Sequence, residues 1–117
     1  MARVLLVDDD AGGLEVRKLI LEQHGHHVTC AADSASARAA FQAMAPETVI
    51  MDLRLPDPED GLALICEFRA AAARARIVVL SGWSADLDGR EERALVDEVL
   101  IKPVRSELIL RAIGYPN

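Results

Sequence analysis

Aromatic rings are scarce in this sequence: one Trp, one Tyr and two Phe make up 3% of 117 residues. A core built without rings has to be filled by Val, Leu, Ile and Ala, which dominate the 51% of the chain that is hydrophobic. That favours helices packed closely on a sheet. Positive charge is also in deficit, with 13 Lys and Arg against 19 Asp and Glu and a net charge of −6. A general nucleic-acid or membrane-surface binder needs a cationic face to displace phosphate counterions, so neither partner is expected. Only two cysteines occur, Cys30 and Cys66, and there is no CxxC pair. Both read as reduced core residues of a cytoplasmic protein. No apolar stretch is long enough to span a bilayer, and the opening residues, Met1 to Val7, lack the length and cleavage site of a signal peptide. A chain of 117 residues can bury one real core and not two, so residues 1–117 are expected to form a single domain.

What the sequence does contain is a series of short apolar runs, each ending abruptly on polar residues. Arg3 to Val7 stops at Asp8-Asp9-Asp10, Thr48 to Met51 at Asp52, Ile77 to Leu80 at Ser81-Gly82, and Val99 to Ile101 at Lys102-Pro103. A weaker run spans His27 to Ala31. Continuous apolar runs of this length are the mark of parallel strands buried on both faces. Helical patterns separate them. The first is expected from Ala11 to His24, capped by Asp10, stopped at Gly25 and turning Val16, Leu19 and Ile20 inward. The second places Ala37, Ala40, Phe41 and Met44 at i, i+3, i+4 and i+7, with Asp33 or Ser34 as its cap and Pro46 as its stop. The third is expected from about Gly61 to Ala73 with Leu62, Ile65 and Cys66 on one face, after a turn at Pro56 to Asp60. A fourth, with a thin apolar stripe, covers Asp86 to Val96, and the fifth begins near Ser106 and carries Leu108, Ile109, Ala112 and Ile113. Five strands alternating with five helices describe an α/β doubly wound parallel sheet.

Right-handed crossovers bring the carboxyl ends of such strands to one edge of the sheet, where ligands collect in open α/β folds. Asp8, Asp9 and Asp52 therefore converge with Ser81 and Lys102. Three neighbouring carboxylates repel unless a cation joins them, and Mg²⁺, which takes hard oxygen ligands and shares its shell with phosphate, suits them best. Asp52 could then attack phosphorus to form an aspartyl phosphate, with Lys102 paired to one phosphoryl oxygen and Ser81 donating to another.

At these residues the chain resembles the receiver domain of bacterial two-component response regulators. The matching motifs are Val7-Asp8-Asp9-Asp10, Met51-Asp52 with Pro56 four residues on, Leu80-Ser81-Gly82 and Ile101-Lys102-Pro103. The resemblance implies the flavodoxin-like strand order 2-1-3-4-5. It implies that Asp52 is the phosphoacceptor, charged by a histidine kinase or phosphotransfer protein. Mg²⁺ is implied on Asp8, Asp9, Asp52 and the backbone carbonyl of Arg54, with Ser81 as the switch hydroxyl and Lys102 as the phosphate-sensing ammonium. The Lys102-Pro103 bond is expected to be cis. Output is expected through a downstream protein or a lost output domain, from a monomer or a phosphorylation-dependent dimer.

The chain departs from the pattern around the expected output face. Val99 stands where receivers commonly carry Tyr or Phe, and Val104 where Phe often follows the Lys-Pro pair. The segment from Ser81 to Lys102 is about one residue shorter than usual, and the Pro56 to Gly61 turn about one longer. Trp83 is either a loop ring packed on the fourth helix or, with Arg54, part of a pocket rim that limits water access. The arginines at 69, 74 and 76 read as a solvated helix end. His24, His26 and His27 straddle a turn without a spaced fourth ligand, which argues against zinc. A metal-dependent phosphohydrolase with an aspartyl nucleophile is the competing class, but it typically needs an acid two residues beyond the nucleophile, where this chain has Arg54. A phosphorylation-independent binding module is the third reading, disfavoured by the complete set of acids and lysine. With Met1 just ahead of the first strand, nothing is expected to precede the domain. A short last helix suits either a stand-alone receiver or one cut from an output domain.

Overall fold

The computed structural model describes residues 2–55, 57–72, 74–82, 87 and 89–113. Its elements run β1 (Arg3–Val7), α1 (Ala11–Gln23), β2 (His27–Ala31), α2 (Ser34–Met44), β3 (Thr48–Asp52), α3 (Pro58–Ala71), β4 (Arg76–Ser81), a 3-10 turn (Glu91–Leu95), β5 (Glu98–Ile101) and α4 (Ser106–Ile113). The strands form one sheet in the order β2-β1-β3-β4-β5, and every neighbouring pair is parallel.

The pleat divides the apolar runs between two cores. Leu5, Val7, Val49, Met51, Ile77 and Val79 face α2 and α3, where Phe41 stacks on Phe68 with ring centroids 4.2 Å apart. Val4, Leu6, Ile50, Val78 and Leu80 face α1 and α4, meeting Leu14, Leu21, Ile109 and Ile113. Both faces of the sheet are thus covered, which is why alternation is absent from β1, β3 and β4. Each buried Val, Leu or Ile contributes about 1.5–3 kcal/mol relative to exposure.

Several helix expectations need correction. The segment between β4 and β5 is not a full helix: among the described residues it is the five-residue 3-10 turn, so the helices number four instead of five. Gly89, with φ +73°, lies inside the expected helix in a conformation an α-helix does not contain. In α1 the inner stripe is Leu14 and Leu21, while Val16 and Leu19 are 58% and 56% exposed. Arg17, between those leucines in sequence, shares their side of the helix and is partly buried. α3 starts at Pro58, three residues before Gly61, because proline fits the first helical turn and Asp60 Oδ2 accepts the Asp57 N–H at 3.1 Å. Its inner face is Leu62, Leu64, Ile65 and Phe68, and Cys66 is exposed, not a core residue; Cys30 is half-buried. In α4, Leu108 is 42% exposed and Leu110 is buried in its place.

Of the arginines at 69, 74 and 76, Arg74 is exposed as expected, but Arg69 and Arg76 are not simply solvated. Arg69 donates to the Leu95 and Ala75 carbonyls at 2.7 to 3.0 Å and pairs with Asp97 at 2.9 Å, tying α3 to the 3-10 turn and to the residues just ahead of β4 and β5. Arg76 belongs to β4, donates to the Ala112 carbonyl and pairs with Glu98.

Candidate functional site

The site follows from the sheet register. Val7 pairs with Met51, Asp52 with Leu80, and Leu80 with Leu100. Asp8 is one residue beyond Val7 and Lys102 two beyond Leu100. Asp8, Asp52 and Lys102 therefore share the pleat parity of Leu6, Ile50 and Leu100, all on the α1 and α4 side. Parallel strands of similar length thus deliver an acid, an acid and an ammonium to one corner. Asp8 also extends the ladder, its N–H donating to the Ala31 carbonyl at 3.1 Å. Asp9 opens the loop into α1 and is exposed.

One carboxylate oxygen from each of Asp8, Asp9 and Asp52 lies within 4.8 Å of the others. They form the one such group of metal-capable side chains among the described residues. Hard oxygen donors at this spacing fit a small divalent cation of the Mg²⁺ type. Asp8 is 3% exposed, a buried carboxylate that survives because donors surround it. Its Oδ1 accepts the Asp10 N–H at 3.0 Å, and its Oδ2 meets Arg17 Nη1 at 2.9 Å and Lys102 Nζ at 3.4 Å. Burial alone would raise the Asp8 pKa, but the Asp10 N–H, Arg17 and Lys102 outweigh it and hold the carboxyl below its usual range.

Asp52 Oδ1 accepts the Arg54 N–H at 3.1 Å, and Oδ2 accepts from Lys102 Nζ at 2.7 Å. Burial would lower the Lys102 pKa, yet its hydrogen bond to Asp52 and the charges of Asp8 and Asp52 raise it above the usual lysine value. The ammonium is therefore charged at neutral pH. The Lys102 N–H donates to the Ser81 carbonyl at 2.8 Å, joining the ends of β4 and β5, and Ser81 is 2% exposed. The Lys102-Pro103 peptide bond is cis. Val99 packs half-buried against the core on the α2 and α3 side.

Arg54 is exposed, with its backbone immediately after Leu53 at the edge of the cluster. Trp83, the other expected rim residue, lies outside the described residues, as does Pro56. The histidines serve local structure: His26 Nδ1 accepts the Ala2 N–H at 3.1 Å, and His24 Nδ1 is 2.9 Å from the Ile20 carbonyl. Sequence reasoning missed Arg17. The available signal was a cation three residues after Leu14 and four before Leu21, in the middle of an otherwise apolar stripe.

A broad groove lined by Ala2, Phe41, Thr48, Ala71 and Ala75 opens at the opposite edge of the sheet. Thr48 begins the strand that Asp52 ends, which separates groove and acids by roughly 13 Å of extended chain. The acid-lysine corner, not the larger groove, has the chemistry.

Comparison with known proteins agrees with this geometry. A family model described as the response regulator receiver domain matches residues 4–114. The virulence transcriptional regulatory protein PhoP of Salmonella typhimurium is 34% identical over 113 residues, covering 94% of this chain and 49% of that protein. The transcriptional regulatory protein AruR of Pseudomonas aeruginosa is 35% identical, covering 94% of this chain and 47% of its own length. The chain thus spans about half the length of the curated relatives it matches. A CheY-like receiver domain from Methylobacillus flagellatus superposes with a TM-score of 0.83 at 32% identity, covering 97% of this chain and 99% of that one. The response regulator TrrA from Thermotoga maritima, solved in complex with Mg²⁺-BeF, gives 0.85 at 25% identity, covering 97% and 96%. Among the described residues no helix is long and apolar enough to cross a membrane.

Proposed function

The chain belongs to the response regulator receiver domain family, a family of signalling domains, and on that premise we propose that Asp52 is its phosphoacceptor. The observation that carries this reading is the placement of Lys102 Nζ, 2.7 Å from Asp52 Oδ2, beside a group of three acids whose oxygens lie within 4.8 Å. In the reaction, an Asp52 carboxylate oxygen bonds to phosphorus of a phosphohistidine on a histidine kinase or phosphotransfer protein. The P–N bond breaks, and the departing imidazole nitrogen keeps the electron pair and takes a proton. Lys102, already in contact with Asp52, neutralises charge on the transferred group, and Ser81 supplies the switch hydroxyl.

Mg²⁺ held by Asp8, Asp9, Asp52 and the Arg54 carbonyl supplies positive charge against the phosphoryl oxygens when bound. The likeness to a receiver solved with Mg²⁺-BeF supports that assignment. The domain is proposed to catalyse its own phosphorylation and slow dephosphorylation, and to act in the cytoplasm. It signals by altering contacts with a downstream protein or output domain, as a monomer or a phosphorylation-dependent dimer. Residues 1–117 form one such receiver unit.

The test is incubation with a small phosphodonor and Mg²⁺. Stoichiometric, slowly lost label on Asp52, absent from Asp52→Asn and dependent on Mg²⁺, is expected. Rapid multiple turnover of phosphomonoesters would identify a phosphohydrolase instead, and label retained in Asp52→Asn would refute the phosphoacceptor assignment.

A further inference from the structure

Two cations, Arg17 and Lys102, contact the acid corner among the described residues, and Arg17 has no part in the proposed phosphotransfer. Arg17 comes from the second turn of α1 and reaches back to Asp8, its Nη1 2.9 Å from Oδ2, with side-chain exposures of 22% for Arg17 and 4% for Asp8. Gly13 lies alongside: a Cβ built there would meet Arg17 Nη1 at an ordinary 3.5 Å and Asp10 Oδ2 at a tight 3.1 Å. The consequence for Asp8 is that neither oxygen is uncommitted: Oδ1 accepts the Asp10 N–H, and Oδ2 faces Arg17 and Lys102. Lys102 has a closer partner in Asp52, at 2.7 Å against 3.4 Å to Asp8. Arg17 is thus the nearer cation at Asp8.

We propose that Arg17 is an internal counter-ion that competes with the divalent cation for Asp8 and so sets the metal affinity of the phosphoacceptor corner. This rests on the reading of Asp8 as a metal ligand. A dication joining Asp8 is repelled by a guanidinium in contact with the same oxygen, and the small ion demands strict octahedral geometry around its ligands. Arg17 must swing away before Asp8 can contribute fully. Its partial exposure gives it somewhere to go, because a guanidinium is readily solvated at the surface while its stem stays packed. The unloaded site is kept compact by protein cations, and loading exchanges Arg17 for the metal.

The sign of the effect separates this role from a merely structural one. Losing a structural arginine would loosen Asp8 and weaken or leave unchanged the binding of Mg²⁺. Losing a competitor strengthens it. Calorimetric titration of MgCl₂ into the unphosphorylated chain at low ionic strength should give a dissociation constant about 3- to 10-fold lower for Arg17→Gln and Arg17→Ala than for the unaltered protein, a range set by one partly exposed ion pair. The gap should narrow in 0.5 M NaCl, as screening weakens the competing pair. Equal or weaker Mg²⁺ binding by both variants, with the unaltered chain still binding, would refute the role of Arg17 while leaving the metal site intact. No Mg²⁺ binding by any of the three proteins would instead refute the metal reading itself. A second measurement needs no variant. Nitrogen relaxation of the Arg17 side chain in the unaltered protein should show mobility gained on saturation with Mg²⁺, and a guanidinium that stays ordered would overturn the proposal.

Discussion

Replacing Gly61 with Ala tests how the loop after Asp52 is held. Gly61 lies in the first turns of α3 with its backbone against Leu53: its N–H donates to the Leu53 carbonyl at 3.0 Å. An added Cβ would sit 2.3 Å from that carbonyl oxygen and 2.4 Å from Leu53 Cα. Comfortable carbon-oxygen contact needs about 3.3 Å, so α3 would have to withdraw from the loop by roughly 1 Å. Withdrawal weakens the Gly61 hydrogen bond, costing about 0.5–1.5 kcal/mol, and strains a packed interface, costing about 1–3 kcal/mol. Alanine gives back about 1 kcal/mol as the better helix former. The net is a loss of about 0.5–3.5 kcal/mol, read as a lower urea midpoint at unchanged slope. Because Leu53 immediately precedes Arg54, whose N–H holds Asp52 Oδ1, the same substitution should weaken Mg²⁺ binding. A Gly61→Ala variant as stable as the parent, with the same Mg²⁺ affinity, would show that the close approach does not hold the loop. The conformation itself is no obstacle, since Gly61 is helical, unlike Gly25 at φ +87° with open space around it.

Other substitutions test the frame around the site. Ala45 ends α2 in the left-handed region at φ 46°, so Ala45→Gly should stabilise the fold by about 0.5–1 kcal/mol, seen as a raised melting temperature. Phe68→Ala removes one ring of the stacked pair from a site 2% exposed and should cost about 3–5 kcal/mol in urea denaturation. Asp97 accepts from the Ile77 N–H at 2.7 Å and from Arg69 at 2.9 Å, and Asp97→Ala should cost about 1 kcal/mol after allowance for solvent screening. Burial pushes the Asp97 pKa up, but these donors and the charges of Arg69 and Arg76 bring it below the usual value. Its stabilising contribution is therefore complete above the unfolded carboxylate pKa of about 3.9 and fades as pH falls through the lower folded value. The stability gap between the parent and Asp97→Asn should accordingly be wider at pH 7 than at pH 3; an unchanging gap would refute the linkage.

The strands were legible because a parallel sheet covered on both faces leaves little ambiguity. The central strands β1, β3 and β4 had to be apolar runs, and each ended on the polar residue now found at the carboxyl edge, whereas the edge strands β2 and β5 are only partly buried. Helix orientation was harder, since it depends on which stripe the tertiary structure selects. In α1 the pair Val16 and Leu19 is as apolar as the pair Leu14 and Leu21, yet the leucines at 14 and 21 face the core, with Arg17 on their side bound to Asp8. Between β4 and β5 the composition allowed a helix, but a glycine at positive φ and a sparse apolar stripe did not sustain one. The arginines at 69 and 76 were misplaced for a related reason. Neighbours distant in sequence, Asp97, Glu98 and the Leu95 carbonyl, decide which long side chains are held.

The same asymmetry holds at the site. Its acids could be found one at a time at strand ends, because carboxylates there have no local purpose in a buried sheet. Their counter-charges could not all be found that way. Lys102 stands at a strand end and is as visible as Asp52, whereas Arg17 arrives from a helix, where a cation ordinarily marks the solvent face. Its burial beside Asp8 is intelligible only from the acid's side: Asp8 is 3% exposed, and an ionised carboxylate at that depth needs donors wherever the fold can supply them. With the Asp10 N–H on one oxygen and Lys102 drawn toward Asp52, the second Asp8 oxygen requires a nearer cation, and the inner stripe of α1 is the adjacent surface that can provide it. Arg17 thus answers the buried charge of Asp8 from the same side of α1 as Leu14 and Leu21, and on our proposal a divalent cation at Asp8 would act on α1 through Arg17.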